Sequence, residues 1–298
     1  MDESLRHRLR ALKGSAPTSW RRVERGYTPA ERWLIRFEDG STAFAKVGVT
    51  PLTASCVRDE VHTYRRLSAP FMPQVLGFDV DTEPPLLLLE DLSGARWPPP
   101  WEAADLELFL KTMRQVSATR PLPDDLPSLT DEFGAPASEQ RVTTGWGAVA
   151  REPEAFLGLG LCSAAWLGGA LPRLLEAQAE AIVDGDDLLH NDVRSDNLCL
   201  SNDRGLLLID WNLAGRGNGA FDLAFAAPSV CREGGPLPET FVADDGRLAS
   251  IVSGFFAQRA GLPPIPDAPL VRWIQLEQLR VALPWVARAL GLPLPVVD

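Results

Sequence analysis

The sequence is poor in the residues that build metal centres and has none of the runs that build membrane spans. Three histidines and four cysteines occur in 298 residues. Cys56, Cys162, Cys199 and Cys231 lie far apart and form no metal-ligand spacing, so no zinc centre is expected. No stretch reaches the roughly 18 consecutive apolar residues of a membrane helix, so no membrane partner is expected. The opening residues, Met1-Asp2-Glu3-Ser4-Leu5-Arg6, lack the basic-then-apolar order of an export signal. With free thiols, this makes the cytoplasm the expected location. No internal repeat is present, and nothing in the sequence indicates an oligomeric state.

Positive charge is also scarce. The net charge is −11, and all of it falls in residues 93–298, which hold 16 basic and 27 acidic residues against 13 of each in residues 1–92. A nucleic-acid partner is therefore not expected. An acidic half attracts cationic substrates. It serves solubility equally well. A composition 45% hydrophobic and 23% charged is ordinary for a soluble globular chain, and the length suffices for two lobes.

What is present divides by pattern. A short helix is expected over residues 2–13, and strands over 20–47, where Glu38-Asp39-Gly40-Ser41 separates two apolar runs as a hairpin turn. Residues 56–68 switch to helical spacing through Val57, Val61, Tyr64 and Leu67. Val75–Asp79 and the fully apolar Leu86-Leu87-Leu88-Leu89-Glu90 read as strands, the second one buried. Pro98-Pro99-Pro100 marks a linker or loop. Beyond it the periods are helical. Leu106, Phe109, Leu110 and Met113 form one row. Leu171, Leu174, Leu175, Gln178 and Ile182 form another. Leu248, Ile251, Val252, Phe255 and Phe256 form a third, with Asp244 or Asp245 as its N-cap. A last helical region near 268–291 is expected to break at Pro284, and residues 120–150 to form an irregular excursion. The expected fold class is α+β: a small sheet lobe with a helix, then a larger and mainly helical lobe.

The chemistry is concentrated in one stretch. His190-Asn191-Asp192-Val193-Arg194-Ser195-Asp196-Asn197 precedes two short apolar runs joined by Ser201-Asn202-Asp203-Arg204-Gly205 and ending at Ile209-Asp210-Trp211. A hairpin there brings Asn197 and Asp210 to one edge. An amide oxygen and a carboxylate suit Mg²⁺, a hard cation that takes oxygen ligands. Asp192 lies just before them, placed to orient a hydroxyl and accept its proton. Arg194, two residues on, offers a planar cation to a transferring phosphoryl group. This is the residue set of phosphoryl transfer. His190 reads as a structural residue that hydrogen-bonds the loop backbone, and Asp222 as a brace for that loop.

The pattern His-x-Asp-x-x-x-x-Asn followed by an Asp at a hairpin end resembles the catalytic segments of the protein-kinase-like fold. Ile209-Asp210-Trp211 in place of Asp-Phe-Gly, and the continuation Ala214-Gly215-Arg216-Gly217-Asn218-Gly219-Ala220-Phe221-Asp222-Leu223-Ala224, are similar to the aminoglycoside phosphotransferase family. No Ala-Pro-Glu segment follows. Asn191 stands where that family often has Gly. The resemblance implies a bilobal protein-kinase-like fold. Its nucleotide-binding lobe would span 1–92, with a hinge at its end, and its catalytic and substrate-binding lobe 93–298. It implies ATP or GTP as donor and Mg²⁺ as cofactor. It implies Lys46 as the phosphate-holding lysine and Glu60 as its partner. Arg25-Gly26-Tyr27-Thr28-Pro29-Ala30-Glu31 falls where the fold covers the phosphates. It lacks Gly-x-Gly-x-x-Gly, but Thr28 or backbone N–H groups remain candidates. Glu90-Asp91-Leu92 resembles the hinge, where backbone groups of Glu90 and Leu92 would read the purine. The acceptor implied is a small-molecule hydroxyl, an amino sugar first, with macrolides, choline, homoserine and fructosamines as rivals. A non-catalytic nucleotide-binding relative is the other class. Glu233, Glu239, Asp244, Asp245 and Glu277 are candidate acidic contacts. Trp273 and Trp285 read as core rather than as sugar-stacking platforms.

Overall fold

The computed structural model describes residues 2–24, 26, 28–129, 142–243, 245–266 and 268–296. The chain opens with α1 (Glu3–Lys13), β1 (Pro17–Arg22), β2 (Glu31–Phe37), β3 (Thr42–Val47), α2 (Pro51–Tyr64), β4 (Val75–Asp79) and β5 (Leu86–Glu90). Next come α3 (Ala103–Ser117), α4 (Gly145–Arg151), the one-turn α5 (Glu154–Leu157) and α6 (Ala164–Glu180). Short strands β6 (Asp187–Leu189), β7 (Leu198–Ser201), β8 (Gly205–Leu208) and β9 (Gly215–Gly217) follow. The remaining helices are α7 (Ala220–Arg232), α8 (Arg247–Ala260) and α9 (Val271–Ala289). The fold class is α+β, as the sequence led us to expect. Two compact units form. One is residues 1–98 with 195–214, and the other is residues 99–194 with 215–298. The β7–β8 hairpin thus groups with the N-terminal residues.

In the first unit five strands pair antiparallel in the order β1-β2-β3-β5-β4. The expected turn joins β2 to β3. Gly40 takes φ +81°, and the Asp39 carboxylate accepts the Ser41 N–H at 2.9 Å. Strand alternation then sorts side chains between two faces. Ala43, Ala45, Val47, Leu86 and Leu88 face Leu5 and Leu9 of α1. Phe44, Leu87 and Leu89 face Val57 and Val61 of α2. Each such buried Leu or Val contributes about 1.5–3 kcal/mol. Parity places Lys46 on the α2 face, two residues on from Phe44. Helix α2 starts earlier than its apolar period indicated, because Thr50 and Thr53 cap it reciprocally and Pro51 sits at its first position. The β7–β8 hairpin pairs Leu198 with Leu208 and Ser201 with Gly205. Arg204 in its turn fastens it to the unit, donating to the Met72 carbonyl at 2.6 Å and pairing with Glu90.

The second unit is built around Trp146, Phe156, Leu174, Val252, Leu279 and Trp285. Three sequence expectations change here. Helix α8 begins at Arg247 behind Gly246 (φ +99°), with no side-chain cap, and Asp245 instead pairs with Arg247 at 3.2 Å. Asp244, the other candidate cap, lies outside the described residues. Helix α9 continues through Pro284, because its neighbours bury Leu283, Trp285 and Val286 and outweigh the lost backbone donor. In α6 the buried stripe is Leu167, Ala170, Leu174 and Ala177, while Ile182 lies past its end and is exposed. Of the expected 120–150 excursion, residues 142–151 form a 3₁₀ turn and α4, and residues 130–141 lie outside the described residues.

Candidate active site

In the first unit, Lys46 donates from Nζ to Glu60 Oε2 at 2.8 Å and to Asp210 Oδ1 at 2.5 Å. Three elements converge on that ammonium. Strand β3 supplies Lys46, α2 supplies Glu60, and the end of the β7–β8 hairpin supplies Asp210. Lys46 and Glu60 are buried, whereas the Asp210 side chain keeps 31% of its exposure. Burial alone would lower the Lys46 pKa. The two carboxylates outweigh it and raise the pKa above the ordinary lysine value. Burial pushes the Glu60 carboxyl up, and Lys46 pulls against it. The Tyr64 hydroxyl, shielded one turn along α2, has its own pKa raised by burial first and by Glu60 next.

Asp210 occupies the left-handed region at φ +66°, ψ +56°, which few non-glycine residues adopt. Asn212 holds it there. With its amide nitrogen turned to the available acceptors, Asn212 donates to Asp210 Oδ1 at 2.8 Å and to the Asp210 carbonyl at 3.1 Å. Asn197 is buried, and its carbonyl accepts the Ile209 N–H at 2.8 Å. The hairpin thus brings Asn197 and Asp210 to its open end. Their oxygens suit Mg²⁺, which keeps several waters and needs only one or two protein ligands when phosphates supply the rest. Among the described residues no group of three or more His, Cys, Asp or Glu could hold a metal without such help.

Three further candidates belong to this unit. The Thr28 hydroxyl accepts from Arg32 Nη2 at 3.1 Å. Arg25 and Tyr27, beside it, lie outside the described residues. The Glu90 carboxylate accepts the Gln74 N–H at 2.6 Å, and the Glu90 N–H donates to the Gln74 carbonyl at 2.9 Å, so neither is offered to a ligand. The Leu92 carbonyl accepts the Ala95 N–H at 3.0 Å in the following turn.

In the second unit, Asp222 organises the loop that carries Asp192. Its buried carboxylate accepts the His190 N–H at 2.6 Å and the Asn191 N–H at 2.8 Å. Burial raises its pKa, and His190 and these N–H groups oppose the rise. Asn191, at φ +64°, turns the chain so that both donors face one carboxylate. This left-handed position explains why a glycine would serve there. His190 Nδ1 accepts the Asp192 N–H at 3.3 Å, which gives His190 its structural role. Arg194 Nη2 donates to Asp192 Oδ2 at 3.0 Å, so in this structure the guanidinium turns onto the carboxylate beside it.

The acidic candidates are internally engaged. Glu233 accepts from Trp101 Nε1 at 3.0 Å, Glu239 accepts from Arg288 Nε at 2.6 Å, and Glu277 accepts from Arg232 Nε at 3.0 Å. Trp285 is core as expected. Trp273 is not: it is 52% exposed, with the Arg232 guanidinium 5.2 Å from its ring centroid. Asn212 and Arg32 were not singled out from the sequence. The signals available were an Asn two residues after Asp210, and an Arg on β2 in register with Lys46.

The family model of a phosphotransferase enzyme family matches residues 19–254. No curated protein matches the sequence. A thermostable mutant of aminoglycoside phosphotransferase APH(4)-Ia, in ternary complex with ADP and hygromycin B, superposes with a TM-score of 0.58 at 14% identity, covering 96% of this chain and 98% of that one. Spectinomycin phosphotransferase APH(9)-Ia, in complex with ADP and spectinomycin, gives 0.59 at 12% identity with 98% of each chain covered. LicA in complex with AMP gives 0.59 at 14% identity, covering 97% and 99%. Among the described residues no helix is long and apolar enough to cross a membrane. With the matched model spanning most of the sequence, the chain belongs to the aminoglycoside-phosphotransferase-like phosphotransferase enzyme family, with its kinase-like fold.

Proposed function

We propose that the protein is a kinase that moves the γ-phosphoryl group of ATP or GTP onto the hydroxyl of a small molecule. The observation that carries this reading is Lys46 held between Glu60 and Asp210. A buried ammonium oriented by one carboxylate, beside a second one at a hairpin end, is a grip for polyphosphate.

In this reading Lys46 binds the α- and β-phosphates and Glu60 fixes its direction. Thr28 and the turn around it cover the phosphates, and the Glu90 carbonyl and Leu92 N–H read the purine. Asn197 and Asp210 hold Mg²⁺, which neutralises phosphate charge when bound. Asp192 orients the acceptor hydroxyl and takes its proton as the new P–O bond forms and the bond to the nucleoside diphosphate breaks. Arg194 exchanges Asp192 for the transferring group and stabilises its charge. Residues 1–92 contribute the nucleotide-binding part, and 93–298 contribute catalysis and acceptor binding.

The acceptor we favour is an aminoglycoside or similar amino sugar, drawn by the acidic balance of residues 93–298. The pairing of Glu239, Glu277 and Asp245 with arginines favours a second reading, a less cationic hydroxyl compound such as a macrolide. A phosphotransfer screen with purified protein and Mg·ATP or Mg·GTP, over amino sugars, macrolides, choline, homoserine and fructosamines, separates these. One class should be phosphorylated, and Asp192→Asn should abolish the transfer. If nucleotide binds but no hydroxyl compound is ever modified, the protein is a non-catalytic relative.

A further inference from the structure

Arg32 has no part in the roles above, yet it lies against them. In the β2–β3 pair it stands directly opposite Lys46. Opposed residues of an antiparallel pair share a face, with Cβ atoms about 4.5–5.5 Å apart, and like charges there are unfavourable. Both cations are withdrawn from solvent. Burial lowers the Arg32 pKa, while Asp210 and then Glu60 act against that change. The guanidinium stays protonated. One wall of the first unit therefore gathers two cations and two carboxylates.

The contacts of Arg32 separate it from Lys46. Nη1 donates to the carbonyls of Thr28 at 3.2 Å and Ala30 at 3.0 Å, and Nη2 donates to Thr28 Oγ1 at 3.1 Å. All three acceptors are neutral. Among the described residues no carboxylate pairs directly with this guanidinium. Gly26, between β1 and β2, lies against it: a Cβ there (φ +109°) would lie 2.6 Å from Arg32 Cζ. The segment lacks the glycine-rich pattern, and its described residues Gly26, Thr28 and Ala30 meet a cation instead.

We propose that Arg32 is a second phosphate-binding cation, acting with Lys46 on the phosphates of a nucleoside di- or triphosphate. This rests on the nucleotide-binding reading of the first unit. A forked donor that holds only neutral oxygens, on the Lys46 face and under the phosphate-covering turn, is suited to exchange them for phosphate oxygens. It also accounts for the like charge opposite Lys46, which a polyphosphate anion would relieve.

Affinities for ADP, AMP and adenosine, measured by calorimetry for the wild type, Arg32→Lys, Arg32→Gln and Lys46→Ala, test this. Arg32→Gln should weaken ADP at least tenfold and adenosine less than twofold. Arg32→Lys, which keeps the charge, should bind ADP more tightly than Arg32→Gln. A gel-filtration profile and melting curve establish that each variant is folded, and Arg32→Lys carries the comparison if Arg32→Gln does not fold. Equal loss for ADP and adenosine would reduce Arg32 to a scaffold of the turn and overturn the proposal, as would unchanged ADP affinity in Arg32→Gln. Loss of ADP binding in Lys46→Ala alone would sink the role of Arg32 and spare the nucleotide site. Absence of ADP binding to the wild type would remove both.

Discussion

Lys46 Nζ lies 2.5 Å from Asp210 Oδ1, across 164 residues of sequence, and 2.8 Å from Glu60 Oε2, across 14. The three charges neutralise one another only in part, since one ammonium serves two carboxylates. The cluster is therefore sensitive to loss of that ammonium.

Removing that cation is expected to be costly. Lys46→Ala leaves Glu60 buried and unpaired, so stability should fall by roughly 3–5 kcal/mol, and adding Glu60→Gln should recover part of the loss. Urea denaturation of the single and double variants measures both. The pH dependence follows from the raised Lys46 pKa. A cation held more tightly in the folded state contributes fully below the unfolded lysine pKa of about 10.4, and that contribution is lost as the pH rises toward the folded value. The stability difference between wild type and Lys46→Ala should therefore be flat from pH 7 to 10 and shrink above it.

Asp210 in the left-handed region makes a distinctive comparison possible. Asp210→Ala removes the carboxylate and keeps the conformational cost of about 1–2 kcal/mol. Asp210→Gly removes both. The glycine variant should be the more stable of the two by about 1 kcal/mol, with neither supporting phosphotransfer. Equal urea midpoints would mean that the left-handed conformation is not a source of strain.

The Asn212 side chain donates to Asp210 at both its carboxylate and its carbonyl. Asn212→Ala should free the carboxylate and raise the Mg²⁺ concentration needed for half-maximal activity about tenfold, roughly 1.4 kcal/mol. The melting temperature should hardly move. A metal titration at saturating nucleotide reads this, and a shift in nucleotide affinity without one in metal dependence would contradict it.

Asp222 holds two loop N–H groups by charge-assisted bonds, each contributing about 1.5–3 kcal/mol. Asp222→Ala should lower stability by about 3 kcal/mol, and Asp222→Asn, which keeps one acceptor, by less. Both should lower turnover without changing ADP affinity, because Asp222 acts on the second unit's loop.

Helices α4 and α8 cross at glycines. A Cβ on Gly145 would lie 2.0 Å from the Gly254 carbonyl carbon, which is backbone and cannot rotate away. Gly145→Ala should destabilise by about 3 kcal/mol or more through overpacking, visible as a lower urea midpoint.

Much of the local structure was legible in the sequence because it depends on short-range physics. Asp39-Gly40 gave the β2–β3 turn through its backbone preference. The spacing of Leu248, Ile251 and Val252 marked α8. Helix ends were less legible. The start of α8 is a glycine in left-handed geometry rather than either aspartate, and α9 runs through Pro284 because tertiary burial overrides a local penalty. The acids offered as acceptor contacts illustrate the same limit. Nothing near Glu239 in sequence reveals Arg288, 49 residues away.

By itself, the sequence determined the chemical inventory and its order: a lysine, a helix glutamate, then Asp192, Asn197 and Asp210 around one hairpin. The last three follow from residue type and spacing, the lysine and glutamate from the resemblance to the protein-kinase-like fold. Only the tertiary structure decided that Lys46 also reaches Asp210, that Asn212 holds Asp210 in its unusual conformation and that Arg32 faces Lys46. Each of these depends on strand register, on a positive φ or on chain segments far apart in sequence. Such contacts form only when burial of the surrounding core offsets the entropy of closing long loops, and that balance is not written in any local period.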